Sequence, residues 1–302
     1  MLSKNHLHIE TTNRCTLKCP ACPRTVWQNL IGQPVQKADL DLDDFKKFLE
    51  CESMEKIDTY LLCGDYGDTI YYPHLFKMIK MFREKAFYIH TNGSYKSKEW
   101  WTELNGLLTE KDVVIFGIDG LGEENKKYRV NADWKSIEIA IDVLSKGPAK
   151  LKCKTLIFEF NQKKLDGIKE WAEAKGMEWF SLKTSRFGQK DIMPKDEHLW
   201  NKKEMYKEEY ALEKPIEIMP RCLEASVVTC EGYFMPCDWI RNPLTFYKSE
   251  LYLDRKKWID RLRIKDNTLD TAYNILSEWI ENVKIKGKKG QAEVLCKMKC
   301  RK

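Results

Sequence analysis

The chain lacks any long hydrophobic run. No uninterrupted apolar stretch among its 302 residues approaches the roughly 20 residues that a membrane-spanning helix needs. The N-terminal segment MLSKNHLHIETTNRC also lacks the apolar core and the small-residue cleavage site of a secretory signal. These two absences predict a cytoplasmic protein with no membrane partner.

A large excess of charge of one sign is also missing. The 52 basic and 46 acidic residues leave a net charge of +6, and most of the basic residues alternate with acidic ones, as on a solvated surface. Only the end of the chain, VKIKGKKG followed by CKMKCRK, is basic without acidic neighbours. This tail is either solvated surface or a contact for an anionic partner, so the composition does not argue for nucleic-acid binding.

Cysteine, in contrast, is abundant. The chain has 11 cysteines, and an odd number without a secretory signal does not fit a disulfide framework. In a reducing compartment, clustered thiols more often bind metals or take part in redox chemistry. Cys51, Cys63 and Cys153 lie apart from the clusters, in helical or strand patterns, and we interpret them as core thiols.

Six short β-like segments, each followed by a helical pattern except the last, make up the first part of the chain. They are residues 6–12, 57–63, 86–91, 113–118, 151–160 and 179–183. Such β–α units form a parallel sheet with right-handed crossovers, and both a doubly wound sheet and a barrel fit the pattern. In either fold, the loops after the strands build the active site. His8, Glu10 and His90 are polar residues of these strands, and each is either functional or a satisfied interior group.

The β–α pattern ends near residue 186, and a second unit begins at Cys222. We therefore predict three parts, residues 1–186, a charged linker over 187–221 and a small C-terminal α+β domain over 222–302. Within the last part, SVVTCEGYFMPC predicts a hairpin that turns at residues 231–232. Helical patterns follow around residues 255–262 and 271–283.

The first cysteine cluster, CTLKCPAC, places Cys15, Cys19 and Cys22 directly after the first predicted strand. Three thiolates on one tight loop can hold three corners of a cubane and leave the fourth iron without a protein ligand. Structural zinc normally takes four ligands, and ferredoxin motifs supply a fourth cysteine. The spacing therefore favours an open-site 4Fe–4S cluster, with a zinc or purely structural role as the alternative.

The segment CTLKCPACPR, which contains these three cysteines, resembles the signature loop of the radical S-adenosylmethionine (SAM) superfamily. In that superfamily the open iron binds the amino and carboxylate groups of SAM. The resemblance implies a partial (β/α)6 TIM-type barrel. The segment LLCGDYGDTI resembles the Gly-Gly-Glu-Pro motif of that superfamily, which takes the methionyl ammonium, and this implies that Tyr66, Gly67 and Asp68 bind the cofactor. The chain departs from the family pattern at Thr69, which replaces the proline, and at Ala21, which replaces a frequent aromatic residue.

Further segments of the chain match the same family. IHTNGS and FGIDG resemble the ends of its third and fourth strands and imply that Asn92 and Asp119 lie at the cofactor, with Gly117 where relatives often carry serine. YRV resembles the segment whose arginine meets the cofactor carboxylate, which makes Arg129 the candidate because a guanidinium pairs bidentately with that group. An ordinary surface ion pair is the alternative for Arg129.

A second set of cysteines lies near the end of the chain. It consists of Cys222, Cys237, Cys296 and Cys300. The first two flank the predicted hairpin and the last two lie near the C-terminus, so a metal bound by all four would fold a small unit around itself. The set resembles the shortened "twitch" form of the SPASM auxiliary-cluster domain, which implies one auxiliary 4Fe–4S cluster and two clusters in total. Four cysteines also make a structural zinc site. Cys230 precedes the predicted hairpin turn, and we interpret it as a buried thiol.

The resemblance implies an oxidoreductase-like enzyme that cleaves SAM reductively and abstracts hydrogen from a substrate carbon. An electron donor such as flavodoxin or ferredoxin would reduce the cluster. Because the first predicted strand begins near residue 6, without a preceding domain to capture a leader peptide, we expect a small polar metabolite rather than a peptide presented by a partner. From another class, a non-catalytic iron–sulfur or zinc scaffold that binds nucleic acid is the competing hypothesis.

Overall fold

The structure, a computed structural model, describes residues 5–64, 66–183, 190–202, 214–241 and 249–300. The chain divides into two compact units. The sheet unit consists of Thr11–Lys37 and Thr59–Lys202, and the C-terminal unit of Met1–Glu10, Ala38–Asp58 and Lys203–Lys302. The predicted domain boundaries stay predictions, and the predicted linker includes 187–189 and 203–213, which lie outside the described residues.

Strands and helices alternate along the first part of the chain. Within the described ranges the strands are β1 (His6–Ile9), β2 (Thr59–Leu62), β3 (Ala86–Thr91), β4 (Val113–Gly117), β5 (Lys150–Leu156), β6 (Glu178–Leu182), β7 (Val227–Val228) and β8 (Phe234–Met235). The helices there are α1 (Pro23–Ile31), α2 (Leu42–Phe48), α3 (Leu75–Met81), α4 (Lys98–Leu107), α5 (Trp134–Leu144), α6 (Leu165–Ala174), α7 (Cys222–Ala225), α8 (Asp238–Arg241), α9 (Glu250–Leu253), α10 (Leu269–Lys288) and α11 (Val294–Cys300).

In the sheet unit, β2 to β6 are parallel neighbours in sequence order. The register pairs His90 with Ile115 and Gly117 with Lys154, so alternate residues of adjacent strands share one face. This arrangement confirms the predicted α/β class. The carboxyl ends of the strands, where the polar turns follow, meet at one edge of the sheet.

Apolar side chains fix the strands against the helices of the sheet unit. Trp101 of α4 is fully buried, and its ring centroid lies 6.1 Å from that of Phe116 on β4. Ile137 and Ile141 of α5 are fully buried as well, at the i, i+4 spacing of one helical face. A buried side chain of this size contributes about 1.5–3 kcal/mol, so this packing holds the strand ends and their loops in place.

In the C-terminal unit, β1 pairs parallel with β7, and β7 pairs antiparallel with β8. The predicted hairpin, with its turn at residues 231–232, is therefore confirmed. Helix α10 confirms the predicted helix at 271–283 and extends it at both ends; its Thr268 side chain accepts from the Thr271 N–H at 3.3 Å as a cap.

The predicted helix at residues 255–262 is wrong. Only a short 3₁₀ helix, Ile259–Leu262, forms there. Trp258 has a non-helical backbone (φ −121°, ψ −82°), and its buried ring packs edge-on against Trp279 of α10, with centroids 5.1 Å apart. Within the described ranges, no helix is both long and apolar enough to cross a membrane.

Candidate functional site

The three cysteines of the first cluster line one cavity of the sheet unit, with a volume of about 190 Å³. Helix α1 begins directly after Cys22, with Pro23 in its first turn, where the missing N–H of proline costs nothing. The Cys22 N–H donates to the carbonyl of Cys19 at 3.1 Å, which makes the loop turn tightly. The loop thereby presents Cys15, Cys19 and Cys22 to the same space.

The side chain of Arg24, in the first turn of α1, forms hydrogen bonds with the backbone of this loop. Its Nη1 donates to the Cys15 carbonyl at 3.1 Å, and its Nη2 donates to the Leu17 carbonyl. The sulfur of Cys15 in turn accepts from the Leu17 N–H at 3.5 Å and from the Asn92 amide nitrogen at 3.6 Å. Hydrogen bonds of this kind to a ligating sulfur tune the potential of an iron–sulfur cluster.

The environment of these thiols disfavours free thiolates. Burial raises the pKa of Cys15 to about 12, and the nearby Asp68 carboxylate adds to the shift. Burial likewise raises the pKa of Cys19 to about 11, although Arg129 opposes the shift. Thiolates at these positions therefore need the positive charge of a metal site beside them, and metal binding would release protons.

The GDYGD loop lies against the backbone of the cysteine loop. The Asp68 N–H donates to the Arg14 carbonyl at 2.8 Å. A Cβ added to Gly67 would overlap the Thr12 peptide group, with the carbonyl carbon at 2.7 Å, so only glycine allows this approach. The described residues of the loop, including Tyr66, Gly67 and Asp68, line the cavity.

The carboxylate of Asp68 is buried and orients its neighbours. Its Oδ2 accepts from the Asn92 N–H at 2.6 Å, from the Thr91 hydroxyl at 3.1 Å and from the Asn92 amide group. Burial raises the pKa of Asp68, and the hydrogen bonds from Asn92, Ile70 and Thr91 oppose the shift. One amide group, that of Asn92, thus touches both Asp68 and the sulfur of Cys15.

Arg129 enters the cavity over Gly117. A Cβ at Gly117 would lie 2.7 Å from its Cζ atom, which explains why glycine rather than serine occupies that position. The Arg129 Nε pairs with Asp119 Oδ2 at 2.9 Å, and Asp119 Oδ1 accepts from the Leu156 N–H at 2.8 Å. Asp119 is fully buried and the Arg129 side chain is 13% exposed, so this is not a surface ion pair. Asp119 is not among the residues that line the cavity; it holds the guanidinium in place.

Reasoning from the sequence missed two cations of the cavity, Arg24 and Lys154. Lys154 lies on β5, where KLKCKTL places Lys150, Lys152 and Lys154 on one face of the strand. Its Nζ lies 3.1 Å from Nδ1 of His90, which the sequence predicts to be either functional or a satisfied interior group. Alternating lysines in a strand that is buried on its other face are the signal that would have identified Lys154.

The second set of cysteines lies in the C-terminal unit. Cys222 opens α7, Cys237 follows β8, and Cys296 and Cys300 lie four residues apart on α11, a spacing that places both on one helical face. Burial raises the pKa of Cys296 well above its usual value, and the charges of the other three cysteines raise it further. The four thiols are therefore electrostatic neighbours. No group of three or more His, Cys, Asp or Glu side chains in the described part of the chain is arranged to hold a single metal ion.

Cys230 has a different environment. Burial and then the charges of Glu231 and Asp39 raise its pKa, and its sulfur lies 3.7 Å from Nη2 of Arg241. Arg241 also pairs with Glu231 at 2.7 Å and with the buried Glu10. Glu10 is therefore a satisfied interior group of the C-terminal unit, which was one of its two predicted roles.

Known structures share this fold, although no protein-family model matches the chain. The structure of anSMEcpe with bound AdoMet and Kp18Cys peptide has a TM-score of 0.60 at 16% identity. The match covers 94% of this chain and 83% of the anSMEcpe chain. BtrN in complex with AdoMet and 2-DOIA has a TM-score of 0.50 at 15% identity, with coverages of 97% and 91%. Both are radical SAM enzymes. The chain has the radical SAM fold. The predicted resemblance and the TIM-type partial barrel are thereby confirmed.

Two other similar proteins are longer than the part they share with the chain. SuiB of Streptococcus suis bound to S-adenosylmethionine has a TM-score of 0.58 at 11% identity, and the match covers 82% of this chain and 64% of SuiB. A curated relative from Pyrococcus furiosus, the tungsten-containing aldehyde ferredoxin oxidoreductase cofactor-modifying protein, is 28% identical over 118 residues. That match covers 38% of this chain and 31% of the relative, so the chain spans less than a third of that relative's length.

The close approach at Gly67 gives a first testable prediction. We expect Gly67→Ala to lower the free energy of unfolding by about 1–3 kcal/mol, because its Cβ overlaps the backbone at Thr12 and the two loops must separate. Urea denaturation measures the change. Gly167→Ala is the matched control, since Gly167 lies within α6 with no atom within 4 Å of its added Cβ; it should raise stability by about 0.5–1 kcal/mol. An unchanged midpoint for Gly67→Ala would contradict the packing described here.

Proposed function

We propose that the chain is a radical SAM enzyme in which Cys15, Cys19 and Cys22 hold a 4Fe–4S cluster. The observation that carries the proposal is that the three thiols share one cavity with Asp68 and Arg129. Three thiolates leave one iron for a ligand that is not protein. A buried carboxylate and a guanidinium beside that iron match the ammonium and the carboxylate of an amino-acid moiety. The donor set therefore fits both the cluster and SAM.

Within this proposal, Tyr66, Gly67 and Asp68 bind the methionyl ammonium through backbone and carboxylate oxygens, and Arg129 binds the methionyl carboxylate. Asp119 positions Arg129 through their 2.9 Å ion pair. Asp119 is fully buried and Arg129 is half-buried, and electrostatic interactions are stronger where water is excluded.

When bound, the cluster and SAM supply a one-electron reductive cleavage that yields a 5′-deoxyadenosyl radical able to take hydrogen from carbon. The chain provides the enclosure for that chemistry. Leu17, Ile115, Tyr128 and Leu156 are apolar or aromatic residues that line the same cavity, and their side chains would limit the access of water to a bound group. A flavodoxin or ferredoxin is the electron donor in this proposal.

A second cluster, of the twitch type, is held by Cys222, Cys237, Cys296 and Cys300 in the proposed enzyme. Its support is the mutual electrostatic influence of the four buried or half-buried thiols. Burial raises the pKa of Cys237 to about 12, and hydrogen bonds from the N–H groups of Ile240 and Trp239 oppose the shift. Such a cluster would accept an electron from the substrate radical, relay one, or position the substrate. Zinc in the same site is the alternative that metal analysis distinguishes.

We infer that the substrate is a small polar metabolite. The support is the polar lining of the cavity, which includes His90 and Lys154 beside Arg129. A peptide is the second candidate, because anSMEcpe and SuiB each have a structure with a bound peptide. The test is deuterium transfer into 5′-deoxyadenosine from labelled substrates. Transfer from a small acid or polyol would support the proposal, and transfer only from a peptide would favour the second candidate.

The contact between Asn92 and Cys15 predicts a redox effect. We expect Asn92→Ala to lower the reduction potential of the catalytic cluster, because an N–H···S bond stabilises the more negative, reduced state. A potentiometric titration followed by electron paramagnetic resonance (EPR) measures it. Asn105→Ala removes a comparable amide whose Nδ2 donates to the Val143 carbonyl at 3.3 Å in the helical layer, and it should leave the potential unchanged. Equal potentials in wild type and Asn92→Ala would refute this role.

A further inference from the structure

His90 and Lys154 form a contact in the cavity that the proposed binding of cluster and cofactor does not use. His90 lies on β3 opposite Ile115, and Lys154 lies on β5 opposite Gly117, so the register places both on the face that lines the cavity. Their Nζ and Nδ1 atoms are 3.1 Å apart. Strand β3 contributes His90 and β5 contributes Lys154 to the cavity, and the parallel register brings these two side chains together.

The contact between Lys154 and His90 determines which hydrogen-bonding groups the two side chains can offer to a ligand. A charged lysine has donors only, so Lys154 donates to Nδ1 and the neutral imidazole of His90 carries its proton on Nε2. The ammonium keeps further N–H bonds and its positive charge. The pair is therefore a source of hydrogen-bond donors and of one positive charge.

The other charged groups of the cavity already have partners. Arg24 donates to two backbone carbonyls, Asp68 accepts from Asn92 and its neighbours, and Arg129 pairs with Asp119. Lys154, by contrast, forms no ion pair with any residue in the described part of the chain. Its charge influences Asp119, but that carboxylate is already paired. A positive charge without a paired anion, beside the apolar Ile115 and Leu156, matches an anionic ligand.

We propose that Lys154 and His90 bind a negatively charged oxygen group of the substrate, either a carboxylate or a phosphate. This inference rests on the proposed function, because it places the group beside the cluster of a radical SAM enzyme. It narrows the substrate class from polar metabolites to small acids or phosphate esters. Lys154 supplies the charge, and His90 positions the ammonium by accepting a hydrogen bond from it at Nδ1.

Paramagnetic relaxation tests this site directly. The reconstituted enzyme is reduced anaerobically, and inorganic phosphate or ¹³C-acetate is titrated at constant ionic strength while ³¹P or ¹³C relaxation is recorded. A reduced 4Fe–4S cluster is paramagnetic, so only a probe bound near it relaxes faster. We expect saturable relaxation for at least one probe, with affinity reduced about tenfold or more in Lys154→Met and largely retained in Lys154→Arg. The probe that saturates at lower concentration identifies the carboxylate or phosphate source.

Lys152→Met is the matched control. Lys152 lies on the same strand face, pairs with Glu178 at 2.7 Å and does not line the cavity, so its variant should relax both probes like wild type. Equal affinity in wild type and Lys154→Met would overturn the inference, and so would displacement of the probe by SAM, which would assign Lys154 to the cofactor carboxylate. In both cases an EPR-visible cluster would leave the proposed function standing. Failure to assemble any cluster would overturn both proposals.

Discussion

Replacing Cys15, Cys19 and Cys22 together with alanine is expected to reduce formation of 5′-deoxyadenosine from SAM to background. The three thiols are the only cysteines contributed by the loop between β1 and α1, and without them the catalytic cluster has no thiolate ligands. Anaerobic reconstitution, chemical reduction and chromatographic quantification of 5′-deoxyadenosine measure the effect. The variant should still bind about four irons at the second site, which shows that it has folded.

Cys51→Ala is the control for this experiment. Cys51 is half-buried beside the start of a short 3₁₀ helix, Glu52–Lys56, in the C-terminal unit, so its variant should retain cleavage. Substantial 5′-deoxyadenosine from the triple variant would show that these cysteines do not hold the catalytic cluster. Loss of all iron from it would instead indicate that the substitutions prevent folding.

Replacing Cys296 and Cys300 with alanine is expected to remove about four of about eight irons and to destabilise the C-terminal unit. Both residues lie on α11, whereas Cys222 and Cys237 belong to α7 and the segment after β8. A metal group shared by these segments would tie them together, so its binding free energy would become stability of the unit. Iron analysis and thermal unfolding of the reconstituted protein measure the two effects.

Cys230→Ala serves as the internal control for the second site, because the charges that influence Cys230 are those of Glu231 and Asp39. Its variant should keep the full iron content. About four irons with one equivalent of zinc in the wild-type protein would assign the site to zinc. Loss of iron from Cys230→Ala but not from the α11 variant would show that the ligand set is wrong.

The sequence alone predicted the elements whose signals are local. Strand β3 matches its predicted bounds, because residues 86–91 combine β-branched and aromatic residues with an Asn-Gly turn directly after them. The hairpin of the C-terminal unit and helix α10 were predicted for the same reason. At residues 255–262 the helical spacing of apolar residues was misleading, because packing of Trp258 against Trp279 favours a non-helical backbone.

Only those site residues that belong to short sequence motifs could be predicted from the sequence. The cysteine loop and the GDYGD segment are each a short continuous stretch of sequence, and the three cysteines line one cavity with Tyr66, Gly67 and Asp68. Lys154 and His90 are 64 residues apart in the sequence, and their contact depends on the register of the parallel strands, which no local pattern encodes. Gly117 was noted as a departure from the family, but only the structure shows that the guanidinium of Arg129 fills the space a side chain would take.

The most direct test of the catalytic proposal is anaerobic incubation of the reconstituted wild-type chain with SAM, with and without a strong reductant, followed by mass-spectrometric quantification of 5′-deoxyadenosine. We expect 5′-deoxyadenosine and methionine in equal amounts, formed only when the reductant is present, because cleavage would consume one electron from the cluster that we propose Cys15, Cys19 and Cys22 hold. Protein that carries its full iron content and binds SAM, yet forms no more 5′-deoxyadenosine with reductant than without it, would contradict the assignment of this chain as a radical SAM enzyme.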